Sequence, residues 1–192
     1  VYGQRLGSNP ITLTNSSTVV KVQHPNHGMY STSNNVTITG VSSGVSTTLN
    51  GAITATGTSV TLTSATNFPS SGTVHIKIDN EIMSGTISGT TISSITRGQG
   101  STTAAAHSNA ATIELYMINS VPLTEINKTH TAIANIGIDS YTISTTTSAS
   151  ITGASTTAQV GQTSVYASEN YRFETVKTLI GTLELPETTM TA

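Results

Sequence analysis

The chain has 192 residues, 8% of them charged, a formal net charge of −2 and no cysteine. That length allows one or two small domains with real cores, and the missing cysteines exclude a disulfide framework and any thiolate metal site. The seven Lys and Arg are scattered singly, without the basic stripe that neutralises a phosphate backbone, so no nucleic acid partner is expected. No apolar run reaches the length of about 18 residues that a membrane-spanning helix needs, so no such span is expected.

Ser and Thr fill about a third of the positions. The apolar residues are mostly Val and Ile and alternate with them, as in VTITGV (36–41), SVTLTS (59–64) and VHIKID (74–79). β-Branched residues at a period of two mark strands buried on one face. The expected fold class is therefore all-β, built from small β-sandwich or barrel modules.

In chain order, VYGQRLGSNPITLT (1–14) reads as extended, with Gly and Asn-Pro breaks. Strands are expected at 17–23 and 36–41, separated by the turn formers of HPNHGMYSTSNN. The Gly/Ser stretch VSSGVSTTLNG (41–51) leads into a block from about 52 to 118, with strands expected at 52–56, 59–63, 74–79, 81–87, 90–96 and 112–118. Asp79-Asn80 forms a tight hairpin, since both residues tolerate positive φ, and Gly89 forms a second one. NFPSSG (67–72) is a loop bounded by Pro and Gly. Strands of this length and spacing suit a small sandwich or barrel. Two more are expected near 130–137 and 140–146. TTAQVGQTS (156–164) is linker-like, and charge and aromatics return together in VYASENYRFETVKTLIGTLELPETTMTA (165–192), a shift that marks a boundary. Within it, Phe173, Val176, Ile180 and Leu183 fall at helical spacing over 170–183, although the β-branched content suits a strand as well. A chain that starts on Val and ends on TTMTA reads as an ordered or processed segment of a longer polypeptide.

Three stretches and one residue class could carry chemistry. HPNHGM (24–29) offers two imidazoles, whereas zinc needs three or four converging ligands. Pro25 fixes φ, and Asn26 and Gly28 admit the left-handed region. The sequence therefore reads as a loop in which His24 or His27 hydrogen-bonds a backbone group. RGQGSTTAAAHSNAA (97–111) lacks the lysine of a P-loop and the third glycine of a dinucleotide fingerprint. There Arg97 can cap exposed carbonyls, Gly98 and Gly100 turn the chain, and His107 can pin the loop. Asp79 and Glu81 flank the hairpin and read as a solvated turn rather than as the paired carboxylates of a glycosidase. Two aspartates sixty residues apart exclude an EF-type calcium loop. No G-x-S-x-G elbow marks a nucleophilic serine. Tyr30, Tyr116, Tyr141, Tyr166 and Tyr171 do not cluster as a sugar platform, and most of them are expected at the core edge, hydroxyl in water. No catalytic residue, metal or cofactor is expected.

Three stretches together carry a resemblance. VQHPNHGMYSTSNNVTITGV resembles a small β module of tailed-phage virion proteins, in which an H-G-hydrophobic turn precedes a V-x-I-x-G strand. Its continuation resembles VPLTEINKTH (121–130) and IDSYTIST (138–145). Residues 46–118, with NFPSSG, VHIKIDNEIM and ITRGQGSTTAAAHSNAATIELY, look like another phage module placed between them. SVYASENYRFETVKTLIGTLELPETTMTA is similar to segments of structural proteins of marine T4-like phages. The typical module has a Gly-Asp turn where this chain has STSNN.

The resemblance implies a discontinuous β module of 1–45 plus 119–155, an inserted β domain of 46–118, and a linker with the start of a further domain or docking segment in 156–192. It implies a virion location in a tail or baseplate, and homo- or hetero-oligomeric packing against other virion proteins. The alternative is an adhesin domain for a host receptor or surface glycan. The expected contact loops carry His24, Asn26, His27, Asn67, Phe68, Arg97 and His107.

Overall fold

The structure, a computed structural model, describes residues 4–7, 9–150 and 166–169. The segment with helical spacing at 170–183 lies outside them. The described chain is all-β. Strands β1 (Gln4–Arg5), β2 (Ile11–Leu13) and β3 (Val19–Gln23) lead through the HPNHGM loop to β4 (Val36–Thr39). Next come β5 (Ser46–Thr48), β6 (Val60–Thr61), β7 (Ser71–Ile78), β8 (Glu81–Ser88), β9 (Thr91–Gln99) and β10 (Thr112–Leu115). Short strands β11 (Met117–Ile118) and β12 (Val121–Pro122) precede a 3-10 turn at Leu123–Glu125. Then follow β13 (Thr129–His130), β14 (Ser140–Ser144) and β15 (Tyr166–Glu169).

All pairings are antiparallel. The largest sheet has six strands in the order β5-β10-β7-β8-β9-β6. A bridge between Leu49 and Leu62 joins its two outer strands at one end, so the sheet curls until its edges meet. The remaining strands form a four-stranded sheet, β1-β15-β4-β13, a three-stranded sheet, β14-β3-β2, and the β11-β12 pair.

Alternation in the sequence becomes alternation in burial. Val20 and Val22 of β3 and Val74, Ile76 and Ile78 of β7 are fully buried, while the residues between them are not. β8 departs from this rule: Glu81, Ile82 and Met83 are all buried. The loop after β9 lies across the outer face of β8 there, and the Ile82 N–H donates to Thr102 Oγ1 at 3.0 Å.

The buried apolar side chains form two clusters. The first draws on both ends of the described chain, from Leu6 to Val41 and from Ile118 to Ala149. The second lies wholly between Leu49 and Met117. One expected strand is absent and another is cut short. Residues 52–56 make one isolated bridge, Ile53 with His107; of the strand expected near 130–137 only His130 is in a strand, at the end of β13, and 131–137 form a loop with one bridge, Ala134 with Thr142. Both stretches are rich in Ala, Gly or Asn, which add little side-chain packing to a ladder. The hairpins at Asp79-Asn80 and Gly89-Thr90 form as expected, with φ of 51° at Asp79 and 59° at Gly89.

Candidate functional site

The densest polar cluster lies at the β7–β8 hairpin, under the loop that follows β9. Glu81 starts β8 and is 1% exposed, a correction to the solvated-turn reading of its sequence. Its partner Arg97 comes from β9. Arg97 donates from Nε to Glu81 Oε1 at 2.7 Å and from Nη2 to Oε2 at 2.8 Å, a bidentate fork. The remaining guanidinium hydrogens tie down three backbone carbonyls: Thr54 at 2.8 Å, Gly57 at 3.2 Å, and Ala105. Arg97 thus caps carbonyls, as its sequence context suggests, and also neutralises a carboxylate.

Backbone and imidazole complete the shell. The Gly98 N–H reaches Glu81 Oε1 at 3.1 Å, and the Ala105 N–H reaches Oε2 at 3.0 Å. His107, itself buried, lies with Nε2 2.9 Å from Glu81 Oε2 and Nδ1 2.8 Å from Asp79 Oδ2. Four N–H donors and one imidazole nitrogen therefore converge on the two oxygens of Glu81. Burial pushes this carboxyl up. The Arg97 fork, the Ala105 N–H, His107 and the Gly98 N–H outweigh burial and hold it down at about 2.

This arrangement is a lock. Glu81 offers no open approach to a substrate, because both of its oxygens are already surrounded by these partners. Gly98 and Gly100, at φ of 62° and 61°, let the chain fold back over the sheet. Asp79 is the exception, with a carboxylate 63% exposed. With Asn80, Ser101, Thr102 and Thr103 it borders an open depression of about 520 Å3. Among the described residues no group of three His, Asp or Glu side chains is arranged to hold a metal ion.

The HPNHGM loop is a second lock. His24 and His27 are buried and pack against the fully buried Tyr141, with ring centroids 5.4 to 5.8 Å apart. The hydroxyl of Tyr141 lies 3.4 Å from His24 Nδ1, so this tyrosine is a core residue and not a core-edge one. His27 Nδ1 accepts the Met29 N–H at 2.8 Å, an imidazole holding its own loop. Asn26 stands exposed at φ 57°, and its N–H donates to Asp139 Oδ1 at 3.0 Å.

In NFPSSG, Phe68 is buried in the second cluster while Asn67 is exposed at φ 66°. The seven loop residues of interest therefore divide. His24, His27, Phe68 and His107 are buried anchors, Arg97 is nearly so, and Asn26 and Asn67 face solvent. His107 and Arg97 meet at Glu81; the other loops stand apart from that cluster.

Two further carboxylate and amide clamps escaped the sequence reading. Glu125 accepts the N–H groups of Thr146 and Thr147 at 2.6 and 3.0 Å and the Thr147 hydroxyl at 2.6 Å. Burial raises this carboxyl, and those hydrogen bonds more than reverse the effect, leaving it lowered. Asn127 clasps the end of β4: its Oδ1 accepts the Val41 N–H at 2.9 Å and its Nδ2 donates to the Val41 carbonyl at 2.8 Å. Nothing in the spacing of a lone Glu or Asn marks such a long-range partner.

Among the described residues no helix is long and apolar enough to cross a membrane. Comparison with known protein families, curated proteins and solved structures finds no match to this chain.

Proposed function

We propose that the chain is a structural component of a tailed-phage virion, a segment of a longer tail or baseplate protein that acts by packing against neighbouring subunits. One observation carries this reading: polar side chains with chemical potential are turned inward to hold loops still. Arg97, Glu81 and His107 fasten one loop, His27 a second and Glu125 a third. What these loops present outward is small and uncharged, such as Ser101, Thr103, Ala104 and Asn109 in the loop after β9. A rigid tip loses little conformational entropy on docking, so it suits permanent contact.

The module resemblance of HPNHGM, NFPSSG and the D-S-Y-T-I strand supports the same reading. In it, residues 46–118 form a β domain inserted into a host module of 1–45 plus 119–155, and no substrate is turned over. The exposed contact positions are Asn26, Asn67 and the loop fastened by Arg97 and His107. Mass spectrometry of purified particles tests it: the chain is expected in fixed stoichiometry with other virion proteins. Its recovery only in the unassembled fraction refutes the reading.

A second reading has one observation in its favour. Tyr30, beside the HPNHGM loop, is 65% exposed. An exposed phenol with polar neighbours can stack on a sugar, as a host-glycan adhesin would require. Binding of the isolated chain to a glycan array, lost in Tyr30→Ala, would favour this reading over the first.

A further inference from the structure

Strand β15 occupies an unusual position. It is the last described element, yet it sits inside the four-stranded sheet rather than at its edge. On one side it pairs with β4 through Tyr166–Thr39, Ala167–Ile38, Ser168–Thr37 and Glu169–Val36. On the other it pairs with β1 through Gln4–Ala167 and Arg5–Tyr166. Among the described residues β1 has no other strand partner. Val36 and Ile38 of β4, and Leu6 just after β1, belong to the first core cluster. Without β15 the sheet would have a slot over that core, open along β4, with β1 unpaired. Exposed strand edges recruit a strand from elsewhere.

The strand lies at the end of a long connection in sequence. Fifteen residues, 151–165, separate Ser150 from Tyr166, and this stretch, ITGASTTAQVGQTSV, contains no charge and no proline. Fully extended it spans about 50 Å. A folded unit of about 150 residues has a radius of gyration of only about 15 Å. The tether therefore reaches a neighbouring copy as well as its own slot. The backbone ladder is the same in either case. Only effective concentration distinguishes them, and close-packed copies in an assembly present one another's strands at high local concentration.

We propose that β15 is an exchange strand: Tyr166–Glu169 of one copy fills the slot between β4 and β1 of a second copy. This deepens the assembly reading and rests on it for the choice of partner. Exchange would link copies without any new side-chain interface.

The absence of cysteine makes the test clean. Ser168 and Thr37 are directly opposite in the register. Thr37 Oγ1 meets Thr129 Oγ1 on the exposed face, so a substitution there spares the core. Full-length chains carrying T37C alone and S168C alone, with different tags, are co-expressed, purified together and mildly oxidised. The expected result is a disulfide-linked heterodimer at twice the chain mass, lost when the S168C chain also carries A167P, which removes a ladder N–H. A double variant, T37C/S168C, reports the register. If it closes within one chain and no heterodimer forms, exchange is refuted. If it forms no disulfide at all, β15 does not occupy the slot and the proposal falls with it. Particle mass spectrometry reads the virion assignment separately, so either idea can fail alone.

Discussion

Replacing Arg97 with methionine keeps an aliphatic stem and removes the guanidinium, leaving Glu81 buried with only the Gly98 and Ala105 N–H groups and His107 as partners. Bringing this carboxyl from an ordinary 4.5 to about 2 corresponds to about 3 kcal/mol of preference for the ionised form. Arg97 supplies two of the five contacts and the only permanent charge, and three carbonyls lose a donor with it. Breaking one side of a buried pair generally costs about 3–5 kcal/mol. We therefore expect R97M to destabilise the chain by about 3 kcal/mol at pH 7, read from urea denaturation followed by circular dichroism. E81L alone should also destabilise, but the double variant should recover part of the loss, because removing both charges leaves neither unpaired. The double-mutant cycle should show a coupling of at least about 1 kcal/mol. The sign with pH follows from the lowered carboxyl. Its stabilisation is complete above about 4.5 and disappears as pH falls towards 2, so the gap between R97M and the parent should close over that window. A cost for R97M below about 1 kcal/mol, or strict additivity with E81L, would refute the account of this cluster as a lock.

Four other outcomes are expected. In Gly85→Ala the new Cβ would lie 2.7 Å from Ile92 Cγ2 and 2.8 Å from the Ser93 carbonyl; a loss of about 1–3 kcal/mol should appear in the denaturation midpoint. Asn127→Asp keeps the acceptor for Val41 N–H but sets a carboxylate oxygen against the Val41 carbonyl, so it should cost about 1–3 kcal/mol, whereas a surface control such as Asn109→Asp should lose less. Stability should fall with acid in two stages. His75 and His130, both lowered by burial, are lost first as pH drops below 6.5; the lowered Glu81 and Glu125 follow below 4.5. The first stage should shrink in His130→Gln. Residues 46–118 expressed alone should give a β-type far-ultraviolet spectrum and one cooperative unfolding transition, since the second core cluster is closed within them; a non-cooperative melt would argue against an inserted domain.

Strand chemistry was legible in the residues themselves. VHIKID and VTITGV carry their own period of two, and the Asp79-Asn80 and Gly89 turns lie where positive φ is cheap, so the long hairpin of β7, β8 and β9 is a local matter. The missing strand at 52–56 and the shortened one near 130–137 were harder, because a weakly patterned stretch pairs only if a neighbour offers an edge, and edges belong to the tertiary fold. Glu81 shows the same limit more sharply. Beside a hairpin turn, an isolated carboxylate reads as solvated; only the fold brings Arg97, Ala105 and His107 over it, from 16 to 26 residues away in sequence. Tyr141 likewise becomes a core residue because β14 pairs with β3 and brings it against the two histidines.

By itself, then, the sequence determined that this is a β protein with Thr- and Ser-rich faces, tight polar turns and no thiol chemistry, because those properties follow from neighbours along the chain. The tertiary structure decided which polar groups are buried, which loops they fasten, and that β15 lies between β4 and β1. Those outcomes depend on contacts between residues far apart in the chain, whose free energy exists only once the sheets have closed around them.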